Sequence, residues 1–196
     1  MIGYLLEKAG CSVITCGNIG NPVAKAAGKK YDFIVMELSS FQLYWAKSFI
    51  CDAAIVCNLA PDHIDWHGSY ENYIAAKANI IKSLSYGGAA IYQKRDEADL
   101  HIAEDRISLP MSWDVCRKDQ NGIYMDKESS SAWLNNGGCS SCGKLFDFSS
   151  VKLLGSHNLE NTAMAVTALS LFDIEVKPES IESYVPPKHR CAYAGE

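Results

Sequence analysis

The chain has 196 residues, of which 48% are hydrophobic and 21% are charged, and its formal net charge is -5. This length and composition indicate a folded globular protein with one sizeable core. An acidic chain lacks the basic face that binds a phosphate backbone, so we expect no nucleic-acid partner. No segment approaches the ~18 apolar residues of a membrane span, and the N-terminus lacks the basic region of a signal peptide. We therefore expect a cytoplasmic protein without membrane insertion.

Strand and helix patterns alternate through the first half of the chain. Apolar and β-branched runs predict strands at residues 11–16, 31–38, 51–59 and 87–93. Helical spacing, or Pro and Gly at the two ends of a segment, predicts helices at residues 4–10, 21–30 and 69–84. Near-continuous apolar strands separated by helices are typical of a parallel sheet that is covered on both faces.

The pattern changes near residue 110. Short alternating segments separated by turn residues predict antiparallel hairpins, and these segments are GIYMD, SAWLN, KLFDFS and VKLLG. A single long helix is predicted at residues 157–172, followed by a short helix and a Pro-Pro linker. The predicted fold class is therefore α/β, with a mostly parallel sheet flanked by helices and an antiparallel hairpin region at one edge.

Polar clusters follow three of the predicted strands. They are GNIGNP (17–22), ELSSFQ (37–42) and NLAPDHIDWHGS (58–69). In open parallel sheets ligands bind beyond the carboxyl ends of the strands, so we expect the three clusters at the same edge of one sheet. Their carboxylates have few basic neighbours in the sequence, which favours a hard divalent cation such as Mg²⁺.

Single residues in these clusters leave alternatives open. His63 can act as a metal ligand, a base or a helix cap, and Asp62 reads equally well as the N-cap of a helix. Lys77 lies among apolar and small residues, so it is either a solvent-facing lysine or a buried one that needs a partner or a changed pKa. Asn158 and Asn161 share one face of a helical first turn, where they can cap the helix or read the edge of a base.

The sequence contains one cysteine pair with metal-site spacing and lacks a phosphate-binding loop. Cys139 and Cys142 have the spacing of a zinc knuckle, but a structural zinc site needs four ligands and no second cysteine pair follows, so we do not expect zinc there. The chain also contains no G-x-x-x-x-G-K-[ST] motif, the loop that cradles nucleotide phosphates.

Five segments, in this order along the chain, resemble the central ATPase domain of the Mur ligase family. They are GNIGNP, ELSSFQL, NLAPDHIDWHGSYENYIAAK, LLGSHNLENTAMAV and KHR. The Phe-Gln pair of ELSSFQL is most similar to the family member that adds D-glutamate. The resemblance implies that residues 1–187 are the central ATPase domain lacking its P-loop start, which would lie just before Met1. It implies that residues 188–196 are a hinge towards a missing C-terminal domain.

The resemblance also implies roles for individual residues. Glu37 matches the acid that coordinates the Mg²⁺ of ATP, His63 matches the ligand of a second Mg²⁺, and Lys77 matches a lysine that the family carbamylates into a metal partner. Asn18, Ser39 and Gln42 match contacts to the UDP-sugar substrate. Asn158 and Asn161 match contacts to adenine, and Arg190 matches an interdomain arginine that reaches ATP.

The reaction that the resemblance implies is ATP- and Mg²⁺-dependent amide formation in peptidoglycan precursor synthesis. D-glutamate is added to UDP-N-acetylmuramoyl-L-alanine through an acyl phosphate. We expect the isolated chain to be inactive and to bind ATP weakly. The alternatives are a sister Mur ligase, a ligase like folylpolyglutamate synthase, and a non-catalytic nucleotide-binding remnant.

Overall fold

The computed structural model describes residues 1–46, 48–117, 119–137, 143–153 and 155–186. Its strands are β1 (Val13–Gly17), β2 (Phe33–Glu37), β3 (Cys51–Val56), β4 (Leu84–Gln93), β5 (Ile107–Ser112), β6 (Gly122–Asp126), β7 (Ser131–Asn135) and β8 (Gly143–Asp147). Its helices are α1 (Ile2–Lys8), α2 (Ser40–Trp45), α3 (Ile64–His67), α4 (Tyr70–Lys82), α5 (Glu97–Leu100), α6 (Ser156–Ser170) and α7 (Pro178–Glu182). Within these residues no helix has the length and apolar character needed to cross a bilayer.

The strands form two sheets. β1 and β2 pair in parallel, with Gly17 opposite Glu37 at their carboxyl ends. The larger sheet has the order β3-β4-β5-β6-β7-β8; its strands are parallel from β3 to β6 and antiparallel from β6 to β8. The predicted fold class is confirmed, including the antiparallel region at one edge. The prediction that the strands share one sheet is wrong, because among the described strands β2 and β3 are not hydrogen-bonded neighbours.

One apolar core joins the two sheets. Leu5 and Leu6 of α1 are each 2% exposed and belong to the same cluster as Ile91 of β4 and residues of α6. Val35 of β2 and Ile55 of β3 both pack against this cluster. Burial of apolar surface is therefore what holds β2 beside β3 in the described residues.

The opposite face of the larger sheet is covered by α4 and α5. Tyr92 lies next to Ile91 along β4 and points to the other face, where it packs with Ile81 of α4 and Leu100 of α5. This alternation follows from the period of two residues in a strand. The prediction of a sheet covered on both faces is confirmed for the larger sheet.

Two predicted elements are wrong. Residues 21–30 contain a 3-10 turn, Val23–Lys25, instead of a helix. Most side chains there are exposed and Ala26 is the one that is buried, so a longer helix would have no apolar face to pack. The strand predicted for VKLLG is likewise not seen at Val151–Leu153, which follow a 3-10 turn (Phe148–Ser150) and lead into α6.

A close backbone approach fixes the loop after β1 against the end of β2. The backbone N–H of Asn18 donates to the carbonyl oxygen of Glu37 at 2.7 Å, and the N–H of Gly17 donates to the carbonyl of Asn21 at 2.8 Å. Gly17 has φ +109°, and a Cβ there would lie 2.2 Å from the Glu37 oxygen. Only glycine fits this position, because both its φ and its neighbour exclude a side chain.

We predict that Gly17→Ala lowers the free energy of unfolding by about 2 kcal/mol or more, since it combines backbone strain with displacement of the Glu37 carbonyl. Gly10→Ala is the matched control, because Gly10 also has a positive φ (+86°) but a Cβ there meets nothing within 4 Å. The control should lose about 1 kcal/mol from strain alone. Urea unfolding of both variants measures the difference, and equal losses would show that the contact with Glu37 does not matter.

Candidate functional site

Helix α2 begins immediately after β2 and holds two of the predicted substrate residues. Ser39 is its N-cap: its Oγ accepts from the backbone N–H of Gln42 at 3.2 Å. In return the Ser39 N–H donates to Oε1 of Gln42 at 2.9 Å, which completes a capping box. Both side chains therefore have a structural role here. Oε1 of Gln42 takes part in the capping box, whereas its Nε2 group does not.

Side chains bridge the gap between the end of β2 and the segment after β3. The ring of Phe41 lies 4.8 Å from the ring of His63 and 5.7 Å from that of His67. Nε2 of His67 is 3.0 Å from Oγ of Ser40, a hydrogen bond between buried groups. The carboxyl ends of β2 and β3 therefore lie on the same side of the molecule, although they belong to different sheets.

His63 has an unusual backbone and an exposed side chain. Its φ and ψ are 52° and 33°, and it is the N-cap of α3 without a side-chain capping bond. Its Nε2 lies 3.4 Å from Oδ2 of Asp62, and its side chain is 49% exposed. Asp62 accepts from the N–H of His63 at 2.9 Å. The N-cap predicted at Asp62 is therefore wrong, because His63 takes that position. The side chain of His63 makes no capping bond, so its imidazole stays accessible at the site.

Lys77 approaches the same region from α4. It is half-buried, and its Nζ lies 5.3 Å from the ring centroid of Tyr73, the range of a cation–π contact. The Tyr73 ring in turn lies 5.6 Å from the His67 ring. Lys77 is thus neither a fully solvated lysine nor a fully buried one, and aromatic contacts link it to His63 and to the end of β2.

Asp96 is a buried residue of this region that the sequence patterns did not indicate. It lies just beyond β4 with 5% exposure, and its Oδ2 accepts from the backbone N–H of Leu59 at 3.0 Å. The hydroxyl of Tyr70 donates to the Leu59 carbonyl at 3.3 Å. Burial raises the pKa of Asp96, while its bond to Leu59 and the charges of Arg95 and Lys77 act in the opposite direction. The segment between β3 and His63 is thereby fixed at both polar atoms of Leu59.

The predicted adenine contacts lie on a different element. Asn158 and Asn161 are in the first two turns of α6, where Asn158 is half-buried and Asn161 is exposed. The Asn158 carbonyl accepts from Oγ1 of Thr162 at 2.7 Å. The predicted set is thus divided between a region around Glu37, His63 and Lys77 and a second region at the start of α6.

The donor set suits a hard cation only in part. Among the described residues no three or more His, Cys, Asp or Glu side chains group as a metal site. The half-buried carboxylate of Glu37 offers the oxygen ligands that Mg²⁺ prefers, and Mg²⁺ commonly takes one or two protein ligands and completes its shell with water and phosphate. The residues present fit that sparse mode of binding.

Three predicted residues, Arg190, Cys139 and Cys142, lie outside the described residues. Cys116, a cysteine that precedes them in the sequence, is disulfide-bonded. It cannot supply a zinc thiolate in that state.

Sequence comparison identifies a family and several relatives. The profile of the Mur ligase middle domain matches residues 2–169. A UDP-N-acetylmuramoylalanine–D-glutamate ligase of Pseudothermotoga lettingae is 30% identical over 200 residues, covering 100% of this chain and 42% of the relative. The ligases of the same name from Thermobifida fusca and Streptococcus mutans are each 33% identical, and cover 98% and 100% of this chain. The chain spans 42 to 43% of the length of these three curated relatives.

Comparison with solved structures gives the same fold. A MurF ligase from Thermotoga maritima in complex with ADP superposes with a TM-score of 0.61 at 17% identity, covering 93% of this chain and 44% of that one. The UDP-N-acetylmuramate:L-alanyl-gamma-D-glutamyl-meso-diaminopimelate ligase from Neisseria meningitides superposes with a TM-score of 0.65 at 14% identity, covering 95% and 62%. The chain therefore belongs to the Mur ligase family, whose middle domain it matches.

Proposed function

We propose that the complete protein is an ATP- and Mg²⁺-dependent ligase that adds D-glutamate to UDP-N-acetylmuramoyl-L-alanine in peptidoglycan precursor synthesis. The observation that carries the proposal is the similarity of 30 to 33% identity, over nearly the whole chain, to three ligases named for that reaction. The reaction joins a carboxylate to an amine through an acyl phosphate. The isolated chain lacks the activity in this proposal and binds ATP weakly.

The region around Glu37, His63 and Lys77 is the proposed place of phosphoryl transfer. Glu37, His63 and Lys77 would hold Mg²⁺ there, and the ion would supply the positive charge needed where two anions, a carboxylate and a triphosphate, approach each other. Glu37 supplies a carboxylate at the end of β2, and His63 presents an accessible imidazole after β3. Carbamylation of Lys77 by CO2, with release of two protons, replaces an ammonium with an anionic carbamate. In the proposal this group would add a second acidic ligand beside Tyr73.

The substrates occupy the surfaces around this region in the proposal. Asn18, which is exposed beside Glu37, binds the UDP-sugar together with Ser39 and the amide of Gln42. Asn158 and Asn161 contact adenine from the start of α6. Arg190, in the hinge of residues 188–196, reaches ATP from the other side.

The split between the two sheets supports a further part of the proposal. A phosphate-binding strand that precedes residue 1 in the complete protein would insert between β2 and β3, and its loop would cradle the phosphates. In the described chain β2 and β3 each pair with one strand. Ile34, in the middle of β2, is 50% exposed, which is unusual for a large apolar side chain in a parallel sheet.

We predict that the protein expressed from its complete reading frame releases phosphate from ATP only when UDP-N-acetylmuramoyl-L-alanine, Mg²⁺ and D-glutamate are all present. The amine is required because it consumes the acyl phosphate. Phosphate release is measured with each component omitted in turn. Release with another amino acid or with a folate acceptor would move the assignment to a sister ligase, and the absence of release with every acceptor would favour a non-catalytic remnant.

We predict that Lys77→Ala lowers turnover about a hundredfold or more, the effect expected when a charged group that stabilises the transition state is lost. A small carboxylic acid added to the assay should partly restore the rate, because it replaces the missing carbamate. Lys82→Ala on the same helix is the control, since Nζ of Lys82 donates to Oδ1 of Asn79 at 3.1 Å and has no part in the proposed site. Normal turnover by Lys77→Ala would exclude the carbamate.

A further inference from the structure

The carboxylate of Glu160 joins the start of α6 to the ends of two strands. Its Oε2 accepts from Nε2 of Gln93, the last residue of β4, at 2.9 Å. Its Oε1 accepts from Nε1 of Trp113, the residue that follows β5, at 2.6 Å. We call these three residues the Glu160 clamp. Each oxygen receives one N–H, and bonds to an ionised acceptor are stronger than those between neutral groups.

Both donors of the clamp are held in place. Gln93 is 5% exposed, so its amide has little room to turn. The Trp113 ring lies 5.8 Å from the Phe148 ring in an edge-on contact, and Nζ of Lys127 lies 5.3 Å from its centroid. Loss of the carboxylate would leave a buried amide without its partner, and such groups are costly. The clamp is therefore a rigid connection between α6 and the larger sheet.

The clamp acts together with the packing of Leu159 on the core to hold the first turn of α6. Its N-cap is Gly155, with φ 94° and no side-chain capping bond. Glu160 lies between Asn158 and Asn161 in the sequence, within one helical turn of both. The clamp thus fixes the rotation of the helix start, and with it the direction in which the two asparagine amides approach a ligand.

We propose that the Glu160 clamp is a positioning device that determines base specificity by holding Asn158 and Asn161 so that they accept adenine and reject guanine. This inference rests on the proposed function, which assigns the two asparagines to the base. Adenine offers a donor at N6 beside the acceptor N7, whereas guanine offers the acceptor O6 at the corresponding place. An asparagine amide carries both a donor and an acceptor, so it discriminates only when its orientation is fixed.

The test is equilibrium binding of Mg-ATP and Mg-GTP to the protein from its complete reading frame, by titration calorimetry. Glu160→Gln places an amide N–H against one of the two donor groups and should weaken ATP binding about tenfold, the size expected for one charge-assisted hydrogen bond. The ratio of GTP to ATP dissociation constants should fall by a similar factor. Exposed Glu128→Gln should change neither value.

The double variant Gln93→Glu/Glu160→Gln restores the clamp with its charge moved to the strand. The new amide at position 160 can donate to the new carboxylate at position 93 and still accept from Trp113. ATP affinity and base selectivity should return to within about threefold of the parent values, because the two substitutions compensate each other within one hydrogen-bond network. Trp113→Phe keeps an aromatic ring at this position and removes the indole N–H donor, so it should give a smaller loss. It serves as the test variant if Glu160→Gln fails to fold.

Asn161→Ala distinguishes a failure of the base assignment from a failure of the clamp inference. Unchanged base selectivity in Asn161→Ala would overturn the assignment of the base and the clamp inference with it. A loss of selectivity in Asn161→Ala, with none in Glu160→Gln or Trp113→Phe, would overturn the clamp inference alone. Nucleotide binding is measured without turnover. A failure of the D-glutamate reaction would therefore overturn the ligase proposal, but the binding result could still be interpreted.

Discussion

The candidate site depends on side-chain packing across a gap that no backbone ladder spans in the described residues. Val35 of β2 and Ile55 of β3 share one apolar core, and Phe41 contacts His63 above it. Neighbouring strands in a sheet are held about 4.8 Å apart by regular hydrogen bonds. Packing is less directional than hydrogen bonding. The position of Glu37 relative to His63 therefore follows from the shapes of the aromatic and aliphatic side chains between them, and the bond from His67 to Ser40 adds the directional element.

Several residues of the site also carry the local fold. Ser39 and Gln42 cap α2, and Asp96 fixes the segment that leads to His63. His67 is 7% exposed, with one ring nitrogen bonded to Ser40 and the other, Nδ1, buried without a hydrogen-bond partner among the described residues. Substitution of such residues changes both the helix ends and the chemistry beside them. A loss of function at these positions has to be compared with a measurement of stability before a direct role is assigned.

The sequence predicted strands β1 to β4 and the long helix α6 because their apolar patterns are periodic and continuous. It failed at residues 21–30, where alanines and lysines suit a helix locally but provide too little apolar surface to pack one. β5 was not predicted, and Pro110 within it is a residue that ordinarily argues against a strand inside a sheet. The separation of β2 from β3 could not be read, because strand pairing is a long-range property that single-strand patterns do not encode.

The three polar clusters lie at the ends of β1, β2 and β3, as predicted, but the contacts between the clusters were not predicted. The S-x-x-Q pattern of Ser39 and Gln42 is a capping-box sequence, and that local signal was available. The contact of Phe41 with His67 joins residues that are far apart in the sequence, and nothing in either segment indicates the other. The clamp of Glu160 is of the same kind, since Gln93 lies 67 positions before it.

The unpaired edges of β2 and β3 also affect how readily the isolated chain associates in solution. In the described part of the chain each of these strands has one neighbour, so the backbone N–H and C=O groups on its other side have no ladder to join. Open strand edges are templates for pairing with another molecule. The apolar side chain of Ile34 lies beside one of these edges. Preparations of this chain should therefore be kept dilute, because association through these edges grows with concentration and would hide the properties of the single molecule.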